Sequence, residues 1–456
     1  MRYEEYKQTG IKWITSIPVS WEIQKIGTLF AQRKEKVSDK IYAPISVTKN
    51  GILPQLATAA KTDDGDNRKK VCVGDFVINS RSDRKGSCGV SALEGSVSLI
   101  NIVLQPRKQL TGSYAHYLLR SQPFSEEFYR NGRGIVADLW TTRYSEMKTI
   151  LLPVPPREEQ DQIVRYLDWQ VSKINRLIAA KRKQITLLKE QKQRRITHIV
   201  THGIKPNVPH KDSGIAWIGA IPAHWHCVAL KRCAKVKSGI TLGKQYPVGT
   251  KLVSVPYLRV ANVQDGFVSI ETVTTLNVTP EEAAQYALPK GCVLMTEGGD
   301  RDKLGRGCVW NGEIENCIHQ NHIFAVTVND KLLLNKWLEY VSACDIGRMY
   351  FDITAIKTTN LACTNASKVM AFPIPLPPRD EQERITDELN RVARMFNDIR
   401  KGLEKQIERL QELRTRLISD VVTGQVDVRG IEVPEFEMVN EIDTEEPIEE
   451  ENDQIE

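Results

Sequence analysis

The sequence predicts an α+β protein: two strand-rich domains in pseudo-two-fold repeat, separated by two long antiparallel coiled-coil helices. Three observations predict it. Two sets of sequence landmarks recur a little over 200 residues apart. Two long stretches carry a heptad-spaced apolar seam behind the same Pro-Pro signal. The intervals between them hold short β-prone runs broken by turn residues.

The repeat comes first. Gly10-Ile11-Lys12-Trp13-Ile14-Thr15-Ser16-Ile17-Pro18-Val19-Ser20-Trp21 returns as Gly214-Ile215-Ala216-Trp217-Ile218-Gly219-Ala220-Ile221-Pro222-Ala223-His224-Trp225, seven of twelve positions identical at an offset of 204. Leu152-Pro153-Val154-Pro155-Pro156-Arg157-Glu158-Glu159-Gln160 returns as Ile374-Pro375-Leu376-Pro377-Pro378-Arg379-Asp380-Glu381-Gln382 at an offset of 222. The second copy therefore carries 18 more residues between its landmarks. This divides the chain into a first domain (1–156), a first long helix (157–205), a second domain (206–376), a second long helix (377–424) and an acidic tail (425–456), expected to be disordered.

Each helix opens on Pro-Pro and an acidic first turn, which complements the positive end of the helix dipole. The second carries a seam at Ile385, Leu389, Val392, Phe396, Ile399, Leu403, Leu410, Leu413 and Leu417, broken at Gln406. In the first the seam is Ile163, Leu167, Ile174, Leu177 and Leu188, interrupted by polar residues and widened by Val171, Ile178 and Ile185. The helices stop at Gly203 and Gly424. At 1.5 Å per residue each is roughly 60 Å long. Packing them on each other, antiparallel within the chain, buries both seams.

The intervals 26–150 and 230–370 hold runs such as Phe76-Val77-Ile78, Ile100-Asn101-Ile102-Val103-Leu104 and Phe324-Ala325-Val326-Thr327-Val328. In each, a strand leads into a basic glycine-bearing loop: Asn79-Ser80-Arg81-Ser82-Asp83-Arg84-Lys85-Gly86, and Thr296-Glu297-Gly298-Gly299-Asp300-Arg301-Asp302-Lys303-Leu304-Gly305-Arg306-Gly307. The intervals diverge far more than the helices and flanks.

The 456 residues carry 63 basic and 57 acidic side chains, a net charge of +6. Twelve of the acids and none of the bases fall in residues 431–456, so residues 1–430 carry +18. Such a body favours a polyanion, because each cation laid on a phosphate releases condensed counterions. The first helix (157–205) has 12 basic against 5 acidic residues, while 379–420 has 10 of each. No apolar stretch is long enough to cross a membrane, and the start shows no secretory signal. Nine scattered cysteines without a CxxC pair fit reduced thiols and a cytoplasmic location. There is no phosphate-binding loop, since Gly239-Ile240-Thr241-Leu242-Gly243-Lys244-Gln245 lacks the spacing and the hydroxyl. There is no nucleotide-binding glycine motif either. Cys317, His319 and His322 lack a second ligand pair at zinc spacing, so no metal site and no catalytic residue is assigned.

Two different basic domains held by a rigid helix pair suit two-part DNA recognition, in which the helices set the spacing of the half-sites. At these residues the chain resembles the specificity subunits of type I restriction-modification enzymes. The resemblance covers nearly all of residues 1–430. It rests on the paired openings, the paired helix starts, Leu258-Arg259-Val260-Ala261-Asn262-Val263-Gln264-Asp265-Gly266 and Glu297-Gly298-Gly299-Asp300; Val47-Thr48-Lys49-Asn50-Gly51 matches the family less well. It implies two target-recognition domains reading an asymmetric bipartite DNA sequence, without catalysis in this chain. It also implies helices that dock two copies of a modification methyltransferase, joined by a restriction/translocase subunit. S-adenosylmethionine, Mg and ATP then belong to the partner subunits, and this chain carries no cofactor. The candidate DNA contacts are Arg81, Arg84, Lys85, Arg133 and Arg143 in the first domain, and Arg259, Asn262, Arg301, Lys303, Arg306 and Lys357 in the second. A stand-alone sequence-specific DNA-binding protein and a coiled-coil protein scaffold are the alternatives.

Overall fold

A computed structural model describes residues 2–55, 64–134, 140–299, 304–305, 307–357 and 362–440. The chain forms two compact units, residues 1–183 with 403–456, and residues 184–402. The division runs through the long helices, Arg157–His202 and Arg379–Val422, so each gives one half to each unit.

The first unit opens with a hairpin, Tyr6–Ile11 on Ile14–Pro18, which buries Ile14, Ile17 and Trp21. Glu22–Lys25 then pairs with Leu151–Val154, drawing the two ends of the domain together at the helix start. Between them lies a four-stranded antiparallel sheet in the order Cys88–Val90, Phe76–Asn79, Asn101–Pro106, Phe30–Gln32. Helices Gly112–Arg120 and Gln122–Arg130 bury Tyr114, Leu118, Leu119, Phe124 and Phe128 in the same core. Thr111 caps the first of them, its hydroxyl accepting from the Tyr114 amide at 3.0 Å.

The second unit is the same design. Its sheet runs Gly307–Val309, Val293–Thr296, Ile323–Val328, Ala234–Ser238. Its helices are Asn335–Ala343 and Asp345–Thr354, and His226–Ala229 pairs with Pro373–Leu376. The repeat thus extends through the divergent intervals, where sequence identity has vanished. The added length can be placed as well. Between the starts of equivalent strands the offset is 204 at Phe30 and Ala234, 217 at Phe76 and Val293, and 222 at Asn101 and Ile323. Most of the extra residues therefore fall before Val293, where the second unit builds Val253–Leu258 with its partners Thr274–Val278 and, in parallel, Ile318–His319.

The long helices are antiparallel in both units, and one contact is made twice. In the first unit Arg414 donates to Asn175 Oδ1 at 2.8 Å. In the second Lys192 donates to Asn397 Oδ1 at 3.3 Å, and Asn397 stands 222 residues after Asn175, as Arg414 does after Lys192. Ile163, Leu167, Ile174, Ile385, Leu389 and Val392 are buried, while Leu188, Phe396, Leu403, Leu410 and Leu417 are half-buried. Leu177, Ile399 and Leu413 depart from the expected seam at 51%, 46% and 53% exposed. A straight helix drifts ~20° per heptad away from a 3.5-residue repeat. The buried face accordingly moves to Ile178 and, past the break at Gln406, to Ile407.

Each helix ends in the core of a unit. Ile196, Ile199 and Val200 belong to the second core, and Val421 and Val422 to the first. Gly203 and Gly424 adopt φ of +75° and +74°, the left-handed turn open to glycine. A Cβ on Gly203 would lie 3.2 Å from the Trp225 ring, and one on Gly424 2.4 Å from Pro18 Cδ and 3.2 Å from the Trp21 ring. The twice-written opening is thus the seat for a helix end.

The glutamine of each Pro-Pro-Arg-Glu/Asp-Glu-Gln start is a buried clamp. Gln160 Nε2 donates to the Gln109 and Pro155 carbonyls at 2.9 and 3.0 Å, and its Oε1 accepts from the Thr111 amide at 2.9 Å. Gln382 does the same with the Leu332 and Pro377 carbonyls and the Leu334 amide, at 2.8, 2.9 and 2.9 Å.

The expected disordered tail is ordered over its first part. Residues 425–440 turn back along the first long helix as an extended strap. Gln162 donates to the Val428 and Ile431 carbonyls, Ser172 Oγ accepts from the Val439 amide, and Asn175 donates to the Val439 carbonyl. Val428 is fully buried in the first core, which stabilises the strap by about 1.5–3 kcal/mol. Acidic composition alone implies a solvated segment, yet Val428, Ile431, Met438 and Val439 supply an apolar side to it. Residues 441–456 lie outside the described residues.

Candidate nucleic-acid interface

The basic loop of the first unit is held by a small ladder at the edge of the sheet. Strand Phe76–Asn79 ends in Asn79, whose side-chain oxygen accepts from the Arg81 amide at 3.1 Å. Arg81 then bridges Thr141, and Thr141 bridges Arg133. The Thr142 amide donates to the Ser80 carbonyl at 2.9 Å, and Ser80 Oγ donates to the Ile100 carbonyl at 2.5 Å. Tyr129 holds the loop from below, its hydroxyl donating to the Asn79 and Arg84 carbonyls. The backbone bonds fix this platform, so the side chains it presents can vary.

Three of the expected contacts, Arg81, Arg133 and Arg143, are brought together here. Arg81 and Arg143 line a half-open cleft of about 490 Å³ with Lys69, Ser80, Leu99, Ile100, Thr141 and Tyr144. Arg133 is 84% exposed at its side chain, with Glu146 at 3.9 Å. Arg81 is tethered to Asp83 at 3.0 Å. Arg84 and Lys85 are exposed on the next turn. Lys69 went unnoticed in the sequence. Its ammonium donates to the Leu99 and Asn101 carbonyls at 2.7 and 2.5 Å, and burial lowers its pKa. The run Arg68-Lys69-Lys70 opening a strand was its signal. Trp140, 37% exposed beside Ser82, was likewise missed.

The second unit builds the same platform with other side chains. Gly298–Gly299 pairs with Ala362–Cys363, which pairs with Ile356–Lys357. The Thr364 amide donates to the Glu297 carbonyl at 2.7 Å, the counterpart of Thr142 on Ser80. Glu297 stands where the first unit has Ser80, and its carboxylate meets His322 Nδ1 at 2.5 Å. Lys357 lies in this ladder. Arg301, Lys303 and Arg306 lie outside the described residues. Arg259 is exposed at the end of strand Val253–Leu258. Asn262 requires correction. It is 1% exposed, its oxygen accepting from the Arg259 amide and its nitrogen donating to the Ser269 carbonyl, so it shapes a turn and does not face a ligand.

Among the described residues no group of three or more His, Cys, Asp or Glu is arranged to hold a metal ion. All nine cysteines are free. Burial pushes the Cys88, Cys292, Cys308 and Cys317 thiols up to about 12, far from a reactive thiolate. Among the described residues no helix is long and apolar enough to cross a membrane.

Each of the two strand-rich units thus presents one such loop platform. The type I restriction modification DNA specificity domain matches residues 222–409. The chain is 23% identical over 447 residues to the MjaVIII specificity subunit of Methanocaldococcus jannaschii, covering 93% of this chain and 98% of that one. It is 21% identical over 369 residues to the StySPI specificity subunit of Salmonella potsdam, covering 78% and 76%. Its fold matches a chain from a structure of the assembly and conformational transition of a type I restriction-modification system. That match has a TM-score of 0.61 at 16% identity and covers 90% of this chain and 99% of that one. The chain is thus similar over most of its length to specificity subunits of type I restriction-modification systems, and its residues 222–409 match their DNA specificity domain.

Proposed function

We propose that the chain recognises an asymmetric bipartite DNA target, one half through each platform, and targets partner enzymes to it without catalysis of its own. The observation that carries this reading is the platform made twice on one backbone plan with different chemistry. The first offers Arg81, Arg133 and Arg143; the second offers Glu297 and His322 beside the ladder that contains Lys357. Forked guanidinium donors suit guanine and phosphate, whereas a carboxylate accepts from cytosine, so two such surfaces read two different half-sites.

The long helices then set the spacer and dock two copies of a modification methyltransferase, through which a restriction/translocase subunit joins. S-adenosylmethionine, Mg and ATP belong to those partners, and the complex is cytoplasmic. Co-expression with a methyltransferase encoded beside the gene, together with single-molecule mapping of methylated adenines, tests the proposal. Methylation confined to one split, asymmetric sequence and lost without this chain is the expected result. Methylation indifferent to this chain would refute it.

A further inference from the structure

Each unit has a groove between its stretches of the two long helices and the first of its paired domain helices, and the two grooves correspond. Tyr117, Asn175 and Arg414 line one of about 700 Å³ in the first unit; Tyr340, Asn397 and Lys192 line one of about 870 Å³ in the second. The Tyr117 hydroxyl donates to Asp168 at 2.7 Å, and the Tyr340 hydroxyl to Asn390, 222 residues after Asp168, at 2.8 Å. In the first unit the end of the strap lies in the groove. Met438, Val439 and Asn440 line it, and the Asn175 amide donates to the Val439 carbonyl at 2.9 Å. Asn175 is 1% exposed beneath it.

In the second unit the chain takes another course. Residues 204–209, which follow Gly203 as the strap follows Gly424, lead into the hairpin strand His210–Asp212. Among the described residues nothing takes the strap's place. Asn397 is exposed, its oxygen accepting from Lys192 as that of Asn175 does from Arg414, and no described residue accepts from its amide nitrogen. Phe267, 59% exposed, stands in the wall. Of the charged side chains around it, Lys336 pairs with Glu339, Arg194 with Glu190 and Arg348 with Asp265, while Asp345 accepts from the Thr197 hydroxyl. No described carboxylate forms an ion pair with Lys189 or Lys192, which line the helix wall. The clasp is also altered. Ser172 and Arg176, which hold Val439 and Glu437, are replaced by Arg394 and Asp398, so only the asparagine is kept.

We propose that the groove of the second unit is a docking site for an extended, acidic-apolar segment of another protein. A main-chain carbonyl of that segment accepts from Asn397, an apolar side chain rests on Phe267, and a carboxylate meets Lys189 and Lys192. The occupied first groove supplies the binding mode, an extended main chain clasped by an asparagine. A second copy's strap is not the occupant, because crossing over would bare the equivalent groove of its own chain and lose the freedom of two separate molecules. The chain thus fills one of two equivalent grooves itself and offers the other. The inference needs the fold alone and stands whether or not the chain reads DNA.

The probe is a fluorescent peptide with the strap's own sequence, residues 432–440, titrated into the full chain by anisotropy. A photo-crosslinking group at the Phe436 position of the peptide locates it by mass spectrometry. Tethering keeps the chain's own strap in the first groove against micromolar peptide, so crosslinks confined to the second unit, around Lys189, Phe267, Tyr340 and Asn397, are expected. Asn397→Ala and Lys189→Glu, both at exposed helix positions, should each weaken binding about fivefold, the second more at low salt than at high. In the peptide, Glu437→Gln should tighten binding severalfold, because Asp398 stands where Arg176 holds the strap. Absence of saturable binding, or crosslinks in the first unit, would overturn the proposal. A dimer of the full chain that Asn397→Ala abolishes in mass photometry would overturn it too, since the groove would then hold a second copy.

Discussion

Replacing Gln382 by Met keeps the bulk and flexibility of the side chain but strands the Leu334 amide and the Leu332 and Pro377 carbonyls. Gln382 is 0% exposed and its counterpart Gln160 is 1% exposed, so water does not take over these bonds. Each buried backbone group left unpaired costs about 1–3 kcal/mol, so the three together cost roughly 3 kcal/mol at the low end. Local opening is the relevant process in a chain of two units, where a single global unfolding free energy is ill defined. At about 1.4 kcal/mol per tenfold, hydrogen exchange at Leu334 is expected to quicken about a hundredfold in Gln382→Met. Exchange at Thr111 should stay unchanged. Gln160→Met should give the mirror result, and Gln184→Met, on an exposed stretch of the first helix, should give neither. Exchange at Leu334 less than threefold faster, or equal disturbance of Thr111 by either clamp variant, would refute the argument that these glutamines tie each helix start to its own unit.

The same geometry yields further outcomes. Arg81→Ala and Arg143→Ala should each weaken binding of a cognate duplex by about 5- to 150-fold in titrations, the range of a lost base contact of ~1–3 kcal/mol, with circular dichroism unchanged. Reversing Lys181, Arg182 and Lys183 together should flatten the salt dependence of duplex binding, and an unchanged slope would remove the first helix from the DNA-facing surface. Gly424→Ala should lower the thermal midpoint more than Gly203→Ala. Both force a side chain into positive φ, but the added Cβ meets Pro18 at 2.4 Å in one and Trp225 at 3.2 Å in the other. His319 is 1% exposed and burial holds its pKa down at about 4, below the 6.5 of the unfolded chain. The unfolded state then binds the extra proton between those values, so stability is full above pH 6.5 and is lost as pH falls towards 4. The loss is on the order of 3 kcal/mol. His319→Phe should flatten that limb in hydrogen exchange of the second unit.

The scaffold was legible in the sequence because its residues answer to local, periodic demands. The paired Trp21 and Trp225, the helix-starting prolines and the closing glycines each serve one backbone geometry, and each was written twice. The heptad pattern of the helices was legible, but Ile399 and Leu413 were misplaced because periodicity does not report helix drift. The strap was misread because net charge outweighed a few apolar residues whose partners, Gln162 to Arg176, stand more than 250 positions earlier. Asn262 sat in a promising motif, and only its hydrogen bonds to Arg259 and Ser269 distinguish a turn-former from a base-reader. Lys69 stands in a visible basic run, but its place at the cleft depends on a sheet pairing with partners distant in the chain.

The two platforms explain how one fold carries two unlike surfaces. Arg81 and Gly298 occupy equivalent ladder positions, as do Ser80 and Glu297, yet the bonds that place them run through backbone amides and carbonyls. The Thr142 amide on the Ser80 carbonyl and the Thr364 amide on the Glu297 carbonyl are indifferent to what either side chain offers outward. At the helix starts and helix seats the demands reverse. Gln160 and Gln382 are held by side-chain hydrogen bonds, and Trp21 and Trp225 are fully buried, so replacement there costs stability. Variation is therefore cheap at the ladder and costly at the helix seats. That asymmetry accounts for a chain whose flanks still align between the two copies while the intervals that carry the two platforms have diverged far more.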